Sequence, residues 1–204
     1  MNVIDAIQNR RAVKHFDSSH VMPLEVEQQF LNAARLAPTS FNIQHWRFVL
    51  LKDANLRQQV RQAAWNQSQI TDASLVIVLC ADVQAWQKQP ERYWQDLPDT
   101  ATRDTMVNML QDFYRDREWL QRDEAMRSVG LAAQTLMLTA QELGYAACPM
   151  IGFDADAVGQ LIQLPADHVA GMIVAIGKPT QAAFPRSGSL AYAEVVFDNQ
   201  FPNT

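Results

Sequence analysis

Leu75-Val76-Ile77-Val78-Leu79-Cys80-Ala81 is the stretch that decides the fold. Seven consecutive apolar residues are too few for a typical helix, and too uniformly apolar for a strand with one wet face. Such a run belongs to a strand covered on both sides. Gly171-Met172-Ile173-Val174-Ala175-Ile176-Gly177 repeats the pattern near the other end of the chain. Phe48 to Leu51 supplies a further strand, and Asp53 can cap a helix that follows through Ala64. Helical spacing of Val3, Ala6, Ile7 and Arg10 after Asn2 predicts a short helix over 3–10. Pro23 suits the first position of a second helix, which buries Val26, Phe30, Ala33 and Ala34 and stops before Pro38. An apolar stripe from Val129 to Leu143 reads as a helix ended by Gly144, and Asp154 caps another short one. Strands and helices interleave, so the class is α/β or α+β with helices laid on a central sheet.

Residues 86–127 interrupt that rhythm. Trp86, Tyr93, Trp94, Phe113, Tyr114 and Trp119 stand there among dense charges, with Glu118/Arg122 and Asp123/Arg127 at the i,i+4 spacing of a solvated helix. The segment is an excursion from the core: either an exposed helical hairpin anchored by its aromatics, or a flap over a ligand site. At roughly 150 residues per domain, the whole chain, 1–204, is one domain carrying that excursion.

Composition removes several function classes. Only seven glycines occur in 204 residues, none nearer than six positions to the next. That spacing excludes a G-x-G-x-x-G dinucleotide turn, a Walker A loop and a G-x-S-x-G elbow. A bound phosphate must therefore be held by side chains. Cys80 and Cys148 are flanked by apolar residues and read as buried free thiols. The four histidines, His15, His20, His45 and His168, share no ligand spacing, so no metal is expected. No stretch of ~18 apolar residues and no signal peptide is present, which predicts a soluble, cytoplasmic protein. A net charge of −5 argues against a nucleic-acid partner.

Four segments carry groups suited to chemistry. Arg10-Arg11-Ala12-Val13-Lys14 places three cations within five residues, suited to a phosphate and a polarised carbonyl edge, or to the negative end of a helix dipole. Pro38 to Trp46 offers short polar side chains in a helix-to-strand connection. Cys148 to Asp154 leads into a helix, where backbone N–H groups near Ile151 and Gly152 are free to meet an electron-accepting heteroatom. Arg186 is an isolated cation after the last core strand.

Taken in order, Arg10-Arg11 with Lys14 and Phe16, Pro38 through Trp46, Asp72-Ala73-Ser74, Pro149 through Asp154, Lys178-Pro179 and Pro185-Arg186 resemble the FMN-dependent nitroreductase family over about 3–201. The resemblance implies an α+β fold with a central mixed sheet flanked by helices, and an intertwined homodimer with FMN at the interface. It implies ping-pong transfer, in which NADH or NADPH reduces the flavin and the flavin reduces a nitroaromatic or quinone, a small aromatic acceptor. Arg10, Arg11 and Arg186 match phosphate-binding positions, and Lys14 the cation that supports reduced flavin. Thr39, Ser40 and Asn42 match a loop presented to the partner's flavin, and Asn66 an asparagine on the pyrimidine ring. Pro149, Met150, Ile151 and Gly152 match the loop whose N–H approaches flavin N5; no side chain is named as a catalytic acid. Ala12 stands where a hydroxyl is common, His45 where proline is usual, Gln69 beside the flavin where some members have a lysine, and Gly188 where a second phosphate cation is common. Those departures imply weaker FMN binding. They also leave open a flavin-holding module without turnover.

Overall fold

The computed structural model describes residues 2–202. Four strands, β1 (Trp46–Leu50), β2 (Leu75–Asp82), β3 (Ala146–Met150) and β4 (His168–Gly177), form one sheet in the order β1-β2-β4-β3. Every position of β2 is buried. Its alternate residues feed two cores: Leu75, Ile77, Leu79 and Ala81 on one face, and Val76, Val78 and Cys80 on the other. The first face is covered by α2 (Leu24–Ala34) and α6 (Glu118–Glu142), the second by α3 (Ala54–Ala63), α4 (Gln69–Asp72) and α7 (Ala155–Leu161). Burying a single aliphatic side chain contributes roughly 1.5–3 kcal/mol, so a doubly covered strand is the centre of stability.

All three ladders are antiparallel, which corrects the mixed sheet expected. The reason is physical: burial on both faces gives the same apolar run whichever way the neighbours point. Parallel pairing among the described residues is confined to the isolated bridge Ala12–Ala147. That bridge, with the Val13 N–H donating to the Ala147 carbonyl at 3.1 Å, lays the 12–13 segment along the outer edge of β3.

Local signals hold with small shifts. Asn2, Asp53 and Asp154 cap α1 (Val3–Asn9), α3 and α7 through their side chains. Pro23 caps α2 from outside it instead of opening it. Gly144 takes the left-handed φ of +67° just after α6. Both cysteines are buried free thiols. Cys148 to Met150, expected to lead into a helix, instead belong to strand β3.

The excursion is more integrated than a solvated hairpin. After short turns at Ala85–Gln87 and Pro90–Trp94 come α5 (Thr100–Tyr114) and then α6, a 25-residue helix that starts inside the excursion and ends in the core. Ile43, Trp86, Tyr93, Leu110, Tyr114 and Leu120 form a third buried cluster, with Trp86 stacked on Tyr114 at 6.2 Å. Trp119 and Phe113 stay exposed. The expected i,i+4 pairs are not made; Arg127 pairs with Glu124 instead. Among the described residues no helix is long and apolar enough to cross a membrane.

Candidate functional site

The chain leaves α1 in extended form, and period two sorts its side chains: Val13 is buried while Ala12 and Lys14 are exposed. Lys14 makes no hydrogen bond or ion pair among the described residues. Arg11 lines, with Val13, a cleft of about 400 Å³ that Arg10 and Lys14 do not touch. Its guanidinium donates to the carbonyls of Gln8 at 2.6 Å and Arg10 at 2.9 Å. Arg186 crosses from the far end of the chain and donates to the carbonyls of Ile7 at 3.2 Å and Arg10 at 3.3 Å. Three cations thus gather at the C-terminal end of α1, where the helix dipole favours them. None pairs with a carboxylate among the described residues, so most of their donors remain free.

A second group forms at the end of β3. Burial raises the pKa of the Cys148 thiol, opposed by the Gln69 amide and the Lys14 ammonium; Gln69 Nε2 stands 4.0 Å from the sulfur. Lys14, Gln69 and Cys148 therefore share one neighbourhood. Beyond them, the N–H groups of Ile151 and Gly152 donate to nothing among the described residues. The carbonyl of Gly152 accepts from Gln67 Nε2 at 2.8 Å, and the Asp154 N–H donates to the Ala63 carbonyl at 2.9 Å. Those two bonds tie the 151–154 loop to the turn that carries Trp65 and Asn66, both at positive φ. Asn66 thereby stands in the turn that these bonds hold beside the 151–154 loop. Sequence reasoning missed Trp65 and Gln67. A Cβ on Gly152 would meet the Trp65 ring at 2.6 Å, so this glycine answers first to a tryptophan eighty-seven residues earlier. No local pattern announces such a contact.

Thr39, Ser40 and Asn42 are not brought to this group within one chain. The Thr39 hydroxyl accepts from the Gln44 N–H at 3.0 Å, and Asn42 Nδ2 donates to the Tyr93 carbonyl at 3.0 Å. Phe41, at φ 50°, packs against Trp94, Phe113 and Tyr114. The loop is pinned to the excursion. His45 is fully buried; its Nδ1 lies 3.0 Å from the Ser128 hydroxyl, and burial pushes its pKa down to about 4.

One polar cluster lies elsewhere. The buried Asp82 accepts from Arg47 at 2.9 Å and from Lys88 at 2.8 and 2.9 Å. Lys88 also holds Asp167 at 2.6 Å. Lys88, and then His168, hold the Asp167 carboxyl down at about 2. Asp82, Asp167 and His168 would suit a cation by proximity. The ammonium and guanidinium already take up those carboxylate oxygens, so the group is an ion-pair clip.

The nitroreductase family model matches residues 7–178. The chain belongs to the nitroreductase family. Protein DrgA of Synechocystis is 51% identical over 183 residues, covering 90% of this chain and 87% of that protein. MhqN of Bacillus subtilis, which bears the name of an NAD(P)H nitroreductase, is 33% identical and covers 88% of this chain and 90% of its own. A family structure from Exiguobacterium sibiricum, solved in complex with FMN, superposes with a TM-score of 0.89 at 27% identity, covering 97% of both chains. This nitroreductase-family chain matches those relatives across nearly their full length.

Proposed function

We propose that the chain is an FMN-dependent oxidoreductase that draws electrons from NAD(P)H and passes them, in ping-pong order, to nitroaromatic or quinone-type acceptors. One observation carries it: two adjacent unpaired N–H groups, at Ile151 and Gly152, stand in the neighbourhood of an unpaired ammonium, with a carboxylate-free guanidinium group back along the same extended segment. FMN, a planar heteroatom-rich ring bearing a phosphate, suits that donor set. When bound, FMN supplies two-electron transfer. The chain's own residues supply placement and charge. Arg10 and Arg186, with Arg11 behind them, hold the phosphate; each charge-assisted bond contributes roughly 1.5–3 kcal/mol. Lys14 offsets negative charge on the pyrimidine edge, where Gln69 and Asn66 hydrogen-bond. The Ile151 and Gly152 amides orient the central ring, with Pro149 and Met150 shaping the strand end. The proton for the acceptor comes from water.

The reading extends to a cytoplasmic homodimer in which Thr39, Ser40 and Asn42 reach the partner's cofactor. Support comes from apolar side chains that a single chain leaves wet: Val3, Ile4 and Ile7 on α1, and Leu190, Tyr192, Phe197 and Phe201 in the tail. The test is spectroscopic. Purified protein carries a flavin spectrum, bleaches anaerobically with NADH or NADPH, and recovers on addition of a quinone or nitroaromatic. Colourless protein that FMN cannot reconstitute overturns the proposal, and bound flavin that neither donor reduces points to the module without turnover.

A further inference from the structure

A cleft of about 480 Å³ opens between the end of α2, the 43–47 connection and the Pro90–Trp94 turn. That volume is in the range of small-molecule sites. Arg35, Arg47 and Arg92 line it together with the amides of Gln44 and Gln95, and no carboxylate does. The three guanidiniums differ in how far they are committed. Arg47 is spent on Asp82 and on the carbonyls of Gln44 and Trp46. The Arg35 side chain makes no hydrogen bond or ion pair among the described residues, and Arg92 reaches only the Tyr93 hydroxyl, at 3.2 Å, and the face of its ring. Two exposed, uncompensated guanidiniums lining one cleft, in a chain of net charge −5, mark a place for a dianion.

The cleft continues into the loop proposed for the cofactor side. Gln44 donates its N–H to Thr39 and its amide to the Asn42 carbonyl at 3.2 Å. A ligand lying along Gln44 therefore spans from the arginines to the Thr39–Asn42 loop. A phosphate monoester carries close to two charges at neutral pH, whereas each phosphate of a pyrophosphate diester carries one. We propose that this cleft takes the phosphorylated adenosine half of the hydride donor, with the 2′-phosphate between Arg35 and Arg92, so that the chain selects NADPH over NADH. The proposal rests on the oxidoreductase reading above and names its donor.

The test uses calorimetric titration of the FMN-loaded protein with 2′-phospho-ADP-ribose and with ADP-ribose, which share the pyrophosphate diester and differ only in the 2′-phosphate. The first probe binds at least tenfold tighter, and Arg35→Ala or Arg92→Ala each weakens it about tenfold while ADP-ribose is less affected. Both arginines are exposed, so the variants fold, and circular dichroism checks this. The same substitutions raise KM for NADPH about tenfold relative to that for NADH. Equal binding of the two probes, or binding indifferent to both substitutions, overturns the proposal. If neither donor reduces the flavin, the oxidoreductase reading fails while the calorimetry still reports on the cleft. If both donors reduce it equally and the variants change nothing, the cleft assignment alone fails.

Discussion

At the scale of single residues, Gly152 and Trp65 form a matched pair. Gly152→Ala forces a methyl group into a ring that sits 2.6 Å from its position, and the exposed indole must swing aside. We expect a stability loss of about 1 kcal/mol in thermal unfolding and weaker FMN retention, both reduced in the double variant with Trp65→Ala. Arg10 and Arg11 separate in a similar way. Arg10→Ala raises the Kd for FMN about tenfold in fluorescence titration, and Arg11→Ala raises it less, because Arg11 lines, beside Val13, a cleft that Arg10 does not touch. His45 sets a pH dependence. Its folded pKa, about 4, lies below the unfolded value near 6.5, so the unfolded chain binds more protons between those limits. Stability is full above about pH 6.5 and falls by as much as ~3 kcal/mol as pH drops to 4. Urea unfolding at stepped pH shows this slope in the native chain, and His45→Asn flattens it.

At the scale of elements, the clip at Asp82 fixes where the excursion sits. It joins the end of β2 to Lys88 just after the Ala85–Gln87 turn, and through Asp167 to the start of β4. Lys88→Met removes the ammonium that joins Asp82 to Asp167, leaving Asp82 with Arg47 and the Gln84 N–H, and frees the turn that places Trp86 under Tyr114. Amide hydrogen exchange then rises across 85–114 ahead of the rest of the chain, and a uniform rise would argue against this role. The elements also show what a sequence discloses. β2, β4, α3 and α7 were legible because their signals are local: unbroken apolar runs, and an Asp one residue before a helix. β3 was not, since Ala146-Ala147-Cys148-Pro149-Met150 lacks a β-branched residue and contains a proline. The length of α6 was hidden because its start, at Leu120, faces the excursion cluster and its remainder, from Ala125 on, faces the sheet, so the apolar stripe changes side between those two residues. The site divides along the same line. Arg10 and Lys14 announce themselves by charge and spacing, while Trp65, Gln67 and the Arg35–Arg92 cleft exist only once distant segments meet.

At the scale of the whole molecule, apolar surface is unevenly spent. α1 shows Val3, Ile4 and Ile7 to solvent, and residues 184–202 are exposed throughout. Light scattering coupled to size exclusion should give twice the chain mass. Ile4→Asp with Ile7→Asp should lower the association constant at least tenfold, and a flavin-retaining monomer in the native chain would refute the dimer. The two borders of the sheet add a further consequence. Along β3 the outer border is stoppered: the 12–13 segment lies on it, and Pro149 has no N–H to offer. Along β1 no strand among the described residues pairs with the outer Trp46–Leu50 border. Strand-by-strand growth needs two open ends, as a chain of links does. Among the described residues this sheet has one, so addition through the sheet stops after a single partner instead of propagating.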